Sequence, residues 1–423
     1  MNSMKVLNST YEMGPGEYLG ARELMEGAPN SYTMVAKGEV KCFVLTLERY
    51  TRLLSSNENA NENIVEKKSH VSKIQTKKKK RKSKEEKEDL YNDAKALSSS
   101  WYGLTDLGPI GRGTFGLVHM VQDSNHKNKK TFALKIVSHE IIERKNHLNR
   151  LMSEIDILNS LKSPFISKLY GSREDSFGYY LLLELVQGGE LKRLIHPKDK
   201  TMKADQIQMI KNGELAGIPH LPSKFYISGI SLALTYLHKK VIIYRDLKPT
   251  NIMIDEYGYP KLIDLGLSIQ LKQSDGGKAF TLCGRTEYLA PEMIVGSGYN
   301  KGVDWWALGI LLYEMIVGTT PFVLLESDNQ PQNQMKIFEN IVNNEVTYPV
   351  GIEEDCKDLL DSLLIKKTNS RMGCGVRAHK DFENHTWFHD IDFTLLKARR
   401  IVPPWIPPLK GNTDKSFFNI PKL

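Results

Sequence analysis

The chain has 423 residues, enough for two or three domains and one large core. Its hydrophobic content of 40%, charged content of 26% and net charge of +8 exclude a fibrous or wholly disordered chain. Much of the excess charge sits in one lysine block, so it does not make the whole protein a nucleic-acid binder. Four cysteines (Cys42, Cys283, Cys356, Cys374) lie far apart without metal-type spacing, which predicts a reducing compartment and no disulfide framework. The first residues, "MNSMKVLNSTYEMG", lack the apolar core of a signal peptide. The most apolar long stretch, Trp305 to Gly318, contains Glu314 and is too short to span a bilayer, so no membrane span is expected.

Residues 1–54 begin with a glycine-punctuated piece, "MGPGEYLGARELMEGAP", followed by two strand-like runs around Lys37-Gly38 in "YTMVAKGEVKCFVLTLERYTRLL". This resembles the last part of a cyclic-nucleotide-binding domain, a β-roll, whose barrel would lie before Met1. By that resemblance the glutamate for the ribose hydroxyl falls on Ala21 and the arginine for the cyclic phosphate near Asn30. Loss of that arginine removes a charge-assisted contact, so the piece is expected not to respond to cyclic nucleotide. Residues 55–100 read as a charged, flexible linker, because "KKKKRKSKEEKED" holds too little apolar surface to offset ordering entropy. The run Lys77–Lys82 leaves nuclear import open beside the cytoplasm, and Ser83 after it is a candidate for self-phosphorylation.

From Leu104 the pattern changes. "IGRGTFGLV" places Gly111, Gly113 and Gly116 in a G-x-G-x-x-G array, suited to backbone amides closing over phosphate. A dinucleotide-binding unit needs a helix next, whereas "LVHMVQDSNHKNKKTFALKIV" reads as strand, turn, strand. Lys135 lies in the second strand with apolar residues on both sides, a costly place for a lysine without anions. "HLNRLMSEIDILNSL" is an amphipathic helix through Leu151, Ile155, Leu158 and Leu161, and it carries Glu154. "YYLLLELVQGGEL" is a strand running into a loop, and residues 196–222 read as a long surface insertion. "VIIYRDLKPTNIMIDEYGYPKLIDLGLS" then sets short β-branched runs around a polar loop holding Asp246, Lys248 and Asn251, with Asp264 ending the next apolar stretch. Two carboxylates, an amide and a lysine at strand ends suit a divalent metal and phosphate: one carboxylate takes a hydroxyl proton while the other joins the amide on Mg²⁺.

"YRDLKPTN" and "DLG" resemble the catalytic loop and the magnesium-binding motif of protein kinases, with Tyr244 in the usual histidine place as in the AGC group of Ser/Thr kinases. The resemblance implies an α+β, two-lobed kinase fold over residues 101–389, a small β-rich lobe and a large helical one, with an AGC-type tail over residues 390–423. It implies Asp246 and Lys248 as the catalytic pair, Asn251 and Asp264 as holders of Mg²⁺, and Lys135, braced by Glu154, on the ATP phosphates. Gly111, Gly113 and Gly116 would cover those phosphates, while Ile110, Val118 and Ala133 belong to the ATP-binding set. Leu183 would guard the back of the adenine pocket, the backbone of Glu184 and Val186 would bind the base, and Phe418 of the tail would reach the same pocket.

"FTLCGRTEYLAPE" resembles the AGC activation segment, with Thr281 where the family is phosphorylated and Glu292 closing the segment against Arg371. Arg285 and Thr286 replace the usual Thr-Pro, a departure that bears on peptide docking. Asp304 would brace the catalytic loop, and Glu190 and Glu314 would bind an arginine upstream of the phosphoacceptor. A further family acid is replaced by Thr250, so selection of basic residues is expected to be less strict. His385 and His389 share a possible helix face, but without a third ligand a metal there is not expected. The sequence therefore points to a Ser/Thr protein kinase that uses ATP and Mg²⁺ on basic-context protein substrates. The cassette-like piece upstream favours resemblance to the cyclic-GMP-dependent kinases, with a cyclic-AMP-dependent catalytic subunit or a catalytically silent scaffold as alternatives.

Overall fold

Strand Thr131–Ser138 (β3) shows how one run of sequence builds two surfaces. Side chains alternate between the faces of a strand, so Phe132, Leu134 and Ile136 enter one cluster with Leu104, Val121 and Tyr180. Ala133 faces the other way, into a cluster with Ile110, Met120 and Leu185, and Lys135 follows on that same side of the strand. Around β3 the sheet is completed by Leu104–Arg112 (β1), Leu117–Asp123 (β2), Leu169–Glu174 (β4) and Gly178–Glu184 (β5), in the antiparallel order β1-β2-β3-β5-β4. Helix α1 (His139–Lys145) leads into α2 (Leu148–Ser160), the amphipathic helix read from the sequence, whose buried residues include Leu151, Glu154, Ile155 and Leu158.

The computed structural model describes residues 103–112, 116–123, 129–145, 147–196, 200–272, 276–323, 334–375 and 378–420. The chain divides into units Met1–Lys79 and Lys80–Leu423, and the first lies outside the described residues. With it lie the nucleotide-cassette resemblance and Ser83, which sits in the linker; Gly113 is outside as well.

Short helix α3 (Lys192–Ile195) opens the helical lobe, and the expected insertion proves to hold a helix, α4 (Lys200–Lys211). Its Gln206 is buried and donates to the carbonyls of Ile195 at 2.7 Å and Ala216 at 2.9 Å. Helix α5 (His220–Lys239) packs on the lobe's centre, and two small ladders follow: Ile242–Ile243 (β6) with Ile269–Gln270 (β9), and Ile252–Ile254 (β7) with Pro260–Leu262 (β8). Past α6 (Pro291–Val295), helix α7 (Gly302–Val317) is buried at every position, so its apolar run is the lobe's axis and not a surface. The N–H groups of Ala216, Gly217 and Ile218 donate to the carbonyls of Val317, Ile316 and Met315, so the segment after α4 satisfies the last turn of α7. Among the described residues no helix is long and apolar enough to cross a membrane.

Candidate active site

The polar loop between β6 and β7 is held from below. Asp304, fully buried in the first turn of α7, accepts from the backbone N–H groups of Tyr244 at 2.9 Å and Arg245 at 2.8 Å, and pairs with His238 at 2.7 Å. Arg245 can then sit at φ 66°, a left-handed conformation that costs a non-glycine residue energy and has to be imposed by its surroundings. This brings Asp246 to the loop's crest. Its Oδ2 accepts from Lys248 at 2.7 Å and from the Asn251 amide at 2.7 Å, while Oδ1 is buried without a hydrogen-bond partner among the described residues. Burial pushes the Asp246 carboxyl above its usual range; Lys248 and Asn251 only partly oppose this. The result is a poised acceptor oxygen beside a lysine.

The N–H of Ile263 donates to the Asn251 carbonyl at 3.0 Å, tying the loop to the end of β8, where Asp264 stands at φ 56°. Burial works to raise the Asp264 carboxyl, but Lys135 and the N–H of Gly266 outweigh it and hold the group below the usual carboxylate range. The Asn251 amide nitrogen is turned to Asp246, which leaves its amide oxygen facing away from that carboxylate. An ionised carboxylate and an amide oxygen fit Mg²⁺, a hard cation that takes few protein ligands and keeps water and phosphate for the rest. Lys135 Nζ lies 2.7 Å from Glu154 and 3.6 Å from Asp264, all within the lobe interface. Burial alone would lower the lysine's pKa, but the two carboxylates raise it, so the ammonium is retained.

The wall beside this cluster is apolar: Ile110, Met120, Ala133 and Leu185, with Leu107, Val118, Leu183 and Phe418 against them. Val186, just past β5, makes no backbone hydrogen bond to the described chain, which leaves a donor and an acceptor for the edge of a base. The tail reaches this wall through Gln187, which donates to the carbonyls of Gly411 and Asp414 at 3.3 and 3.2 Å. Among the described residues, nothing lies within 4 Å of a Cβ added at Gly111. Gly116 is different: a Cβ there would fall 1.7 Å from the Ile136 carbonyl, so that glycine is required by the approach of β3 as well as by any phosphate.

The protein kinase domain family matches residues 104–388. The chain belongs to the protein kinase family. Among curated proteins it is 35% identical over 326 residues to cAMP-dependent protein kinase type 3 of Saccharomyces cerevisiae, covering 76% of this chain and 74% of that protein. It is 34% identical to the cAMP-dependent protein kinase catalytic subunit of Arthrobotrys oligospora, over 73% of this chain and 54% of that one. A cGMP-dependent protein kinase of Plasmodium berghei is 37% identical over 70% of this chain, which spans 32% of the relative's length. Cyclic-AMP- and cyclic-GMP-dependent relatives thus stand at similar identity, and the chain carries a Ser/Thr protein kinase domain of their AGC type.

Other residues singled out from the kinase sequence have definite places. Arg371, buried, donates to both oxygens of Glu292 at 2.6 and 2.9 Å. Thr281 is exposed, and its carbonyl accepts from Tyr299, whose hydroxyl also accepts from Arg245 at 3.0 Å. Glu190 accepts from the Asn419 amide at 3.2 Å. The Glu184 side chain lies 2.9 Å from Lys261, away from the base-binding backbone role. Glu314 is 3% exposed and is met by His196 at 2.7 Å and by the hydroxyl of Tyr288. Sequence reasoning missed His196 and Tyr288, because nothing local marks contacts across 118 and 26 residues. His385 bonds to Asp358 at 3.0 Å and His389 to the Thr386 carbonyl at 3.1 Å, separate structural roles.

Proposed function

We propose that this protein transfers the γ-phosphoryl group of ATP to Ser or Thr hydroxyls of protein substrates with basic residues upstream. The observation that carries this reading is the Asp246 carboxylate, with one oxygen engaged by Lys248 and Asn251 and the other buried without a partner among the described residues. That free oxygen accepts the substrate hydroxyl's proton as the hydroxyl oxygen bonds to phosphorus and the bond to the ADP oxygen breaks. Lys248 balances charge on the phosphoryl in flight, and Lys135, oriented by Glu154, holds the preceding phosphates. Asn251 and Asp264 would hold Mg²⁺, which when bound supplies positive charge to the phosphate oxygens.

The kinase resembles the cyclic-GMP-dependent group in its cassette-like first residues, yet Ala21 and Asn30 support a chain that does not respond to cyclic nucleotide. Exposed Thr281, near Arg245, is the candidate activating phosphorylation site. A silent scaffold is disfavoured because Lys135, Asp246 and Asp264 are all present and assembled. The test is phosphate transfer from Mg-ATP to a serine peptide with upstream arginine, run beside Asp246→Asn. Transfer by the unmodified protein and its loss by at least a thousandfold in the variant is expected; transfer that survives in Asp246→Asn would refute the assignment.

A further inference from the structure

Strand β1 carries an irregularity beside the apolar wall. Asp106 pairs with Val121 of β2 and Gly108 with Met120, so Leu107 between them has no opposite number and is the extra residue of a β-bulge. Two side chains fix this bulge. The Asp106 carboxylate accepts from the N–H of Gly108 at 2.7 Å, and His119 Nδ1 lies 3.0 and 3.1 Å from its two oxygens. Successive strand residues face opposite sides, so His119, fully buried, points away from the wall that Val118 and Met120 help to line. Burial works to raise the Asp106 carboxyl, but His119, the Gly108 N–H and Lys415 outweigh it and hold the group below its usual range. An ionised carboxylate thus stands next to the bulge, braced from within the small lobe.

The tail meets the bulge at this point. Lys415 Nζ donates to the Leu107 carbonyl, while the Leu107 side chain packs on the wall together with Phe418. The N–H of Phe418 donates to the Lys415 carbonyl at 3.0 Å, so fixing one residue places the other. Just upstream, Asp414 shapes the turn by accepting from the N–H groups of Lys410 and Ser416, each at 2.8 Å. We propose that Asp106 and His119 hold the β1 bulge as a socket for Lys415, and that this charged anchor seats Phe418 on the wall and so sets the affinity for ATP. The inference rests on the ATP-binding part of the reading above. Asp106, His119 and Lys415 are positioning residues, acting on the nucleotide through Phe418.

The experiment uses the full chain and a non-hydrolysable ATP analogue with Mg²⁺. Kd is measured by calorimetry, and KM and kcat are read separately with ATP and a serine peptide. Lys415→Met should raise Kd and the KM for ATP by about tenfold, as suits one charge-assisted hydrogen bond, and leave kcat at saturating ATP within about twofold. Lys415→Arg, which keeps the cation, should bind like the wild type. Phe418→Ala should weaken binding too, and adding Lys415→Met to it should cost nothing further, because the anchor then has nothing to seat. Asp106→Asn should repeat the loss seen in Lys415→Met; should it fail to fold, the lysine variants decide, because Lys415 is only half-buried. Wild-type affinity in Lys415→Met, losses that add in the double variant, or no recovery in Lys415→Arg would overturn the proposal. Analogue binding without phosphate transfer by the wild-type protein would refute the phosphotransferase reading alone, and the Kd values would still decide this inference. No binding by the wild-type protein would refute both.

Discussion

Arg371 offers the most exacting test of how the helical lobe is held together. Its side chain is completely buried, and its N–H groups meet five acceptors: both oxygens of Glu292 and the carbonyls of Ile365, Gly302 and Lys366. The Trp306 ring lies under the guanidinium with its centroid 5.0 Å away. Arg371→Met keeps much of the volume but leaves the Glu292 carboxylate buried without a cation. Removing one partner of a buried pair costs about 3–5 kcal/mol. For a domain of this size each kcal/mol lowers Tm by roughly 2 °C, so a fall of about 6–10 °C is expected. Thermal melts followed by circular dichroism would measure it, with Glu292→Leu and the double variant completing a cycle. The double variant should recover more than half of the loss, since it leaves no unpaired charge. A single-variant change within 2 °C (well below the expected fall), or a double variant no more stable than Arg371→Met, would refute the reasoning.

The pH response of Asp246 follows from its raised carboxyl. Activity needs the ionised form, so the acid limb of kcat/KM should fall above the ordinary aspartate pKa of 3.8; a limb at or below that value would contradict the burial argument. Because the folded state holds this proton more tightly than the unfolded chain, the residue's contribution to stability declines as pH rises from the unfolded pKa through the folded one. Asp246→Asn should therefore melt higher than wild type at neutral pH, with the gap closing towards pH 4, and equal melting at both pH values would count against it. Gly116→Ala drives a Cβ into the Ile136 carbonyl and should raise the KM for ATP and lower Tm; an unchanged KM would show that β2 and β3 can part without cost. Val241, 53% exposed, is held at φ 61°, so Val241→Gly should stabilise the protein by about 1 kcal/mol in urea unfolding, and a loss of stability would show the conformation is not strained.

The candidate catalytic side chains could be singled out in the sequence because the proposed chemistry fixes residue type at short spacing. Asp246, Lys248 and Asn251 lie within one loop, and Asp264 follows one hairpin later. The apolar residues on both sides of Lys135 in "FALKIV" likewise determined that it would be in need of anions, and Glu154 supplies one. The helix in residues 200–211 was hidden, since its sequence is largely polar and among its described side chains only Gln206 is buried. What only the tertiary structure decided are the pairings across long stretches of chain. His196 meets Glu314 across 118 residues, and Lys415 of the tail reaches the Leu107 carbonyl across 308. Periodicity reports which face of an element is apolar, but not which charged groups a fold will bring together there. Whether a glutamate is open to a substrate cation or already engaged depends on such neighbours. Glu190 and Glu314, alike as residue types, meet different neighbours: the Asn419 amide of the tail for one, His196 and Tyr288 for the other.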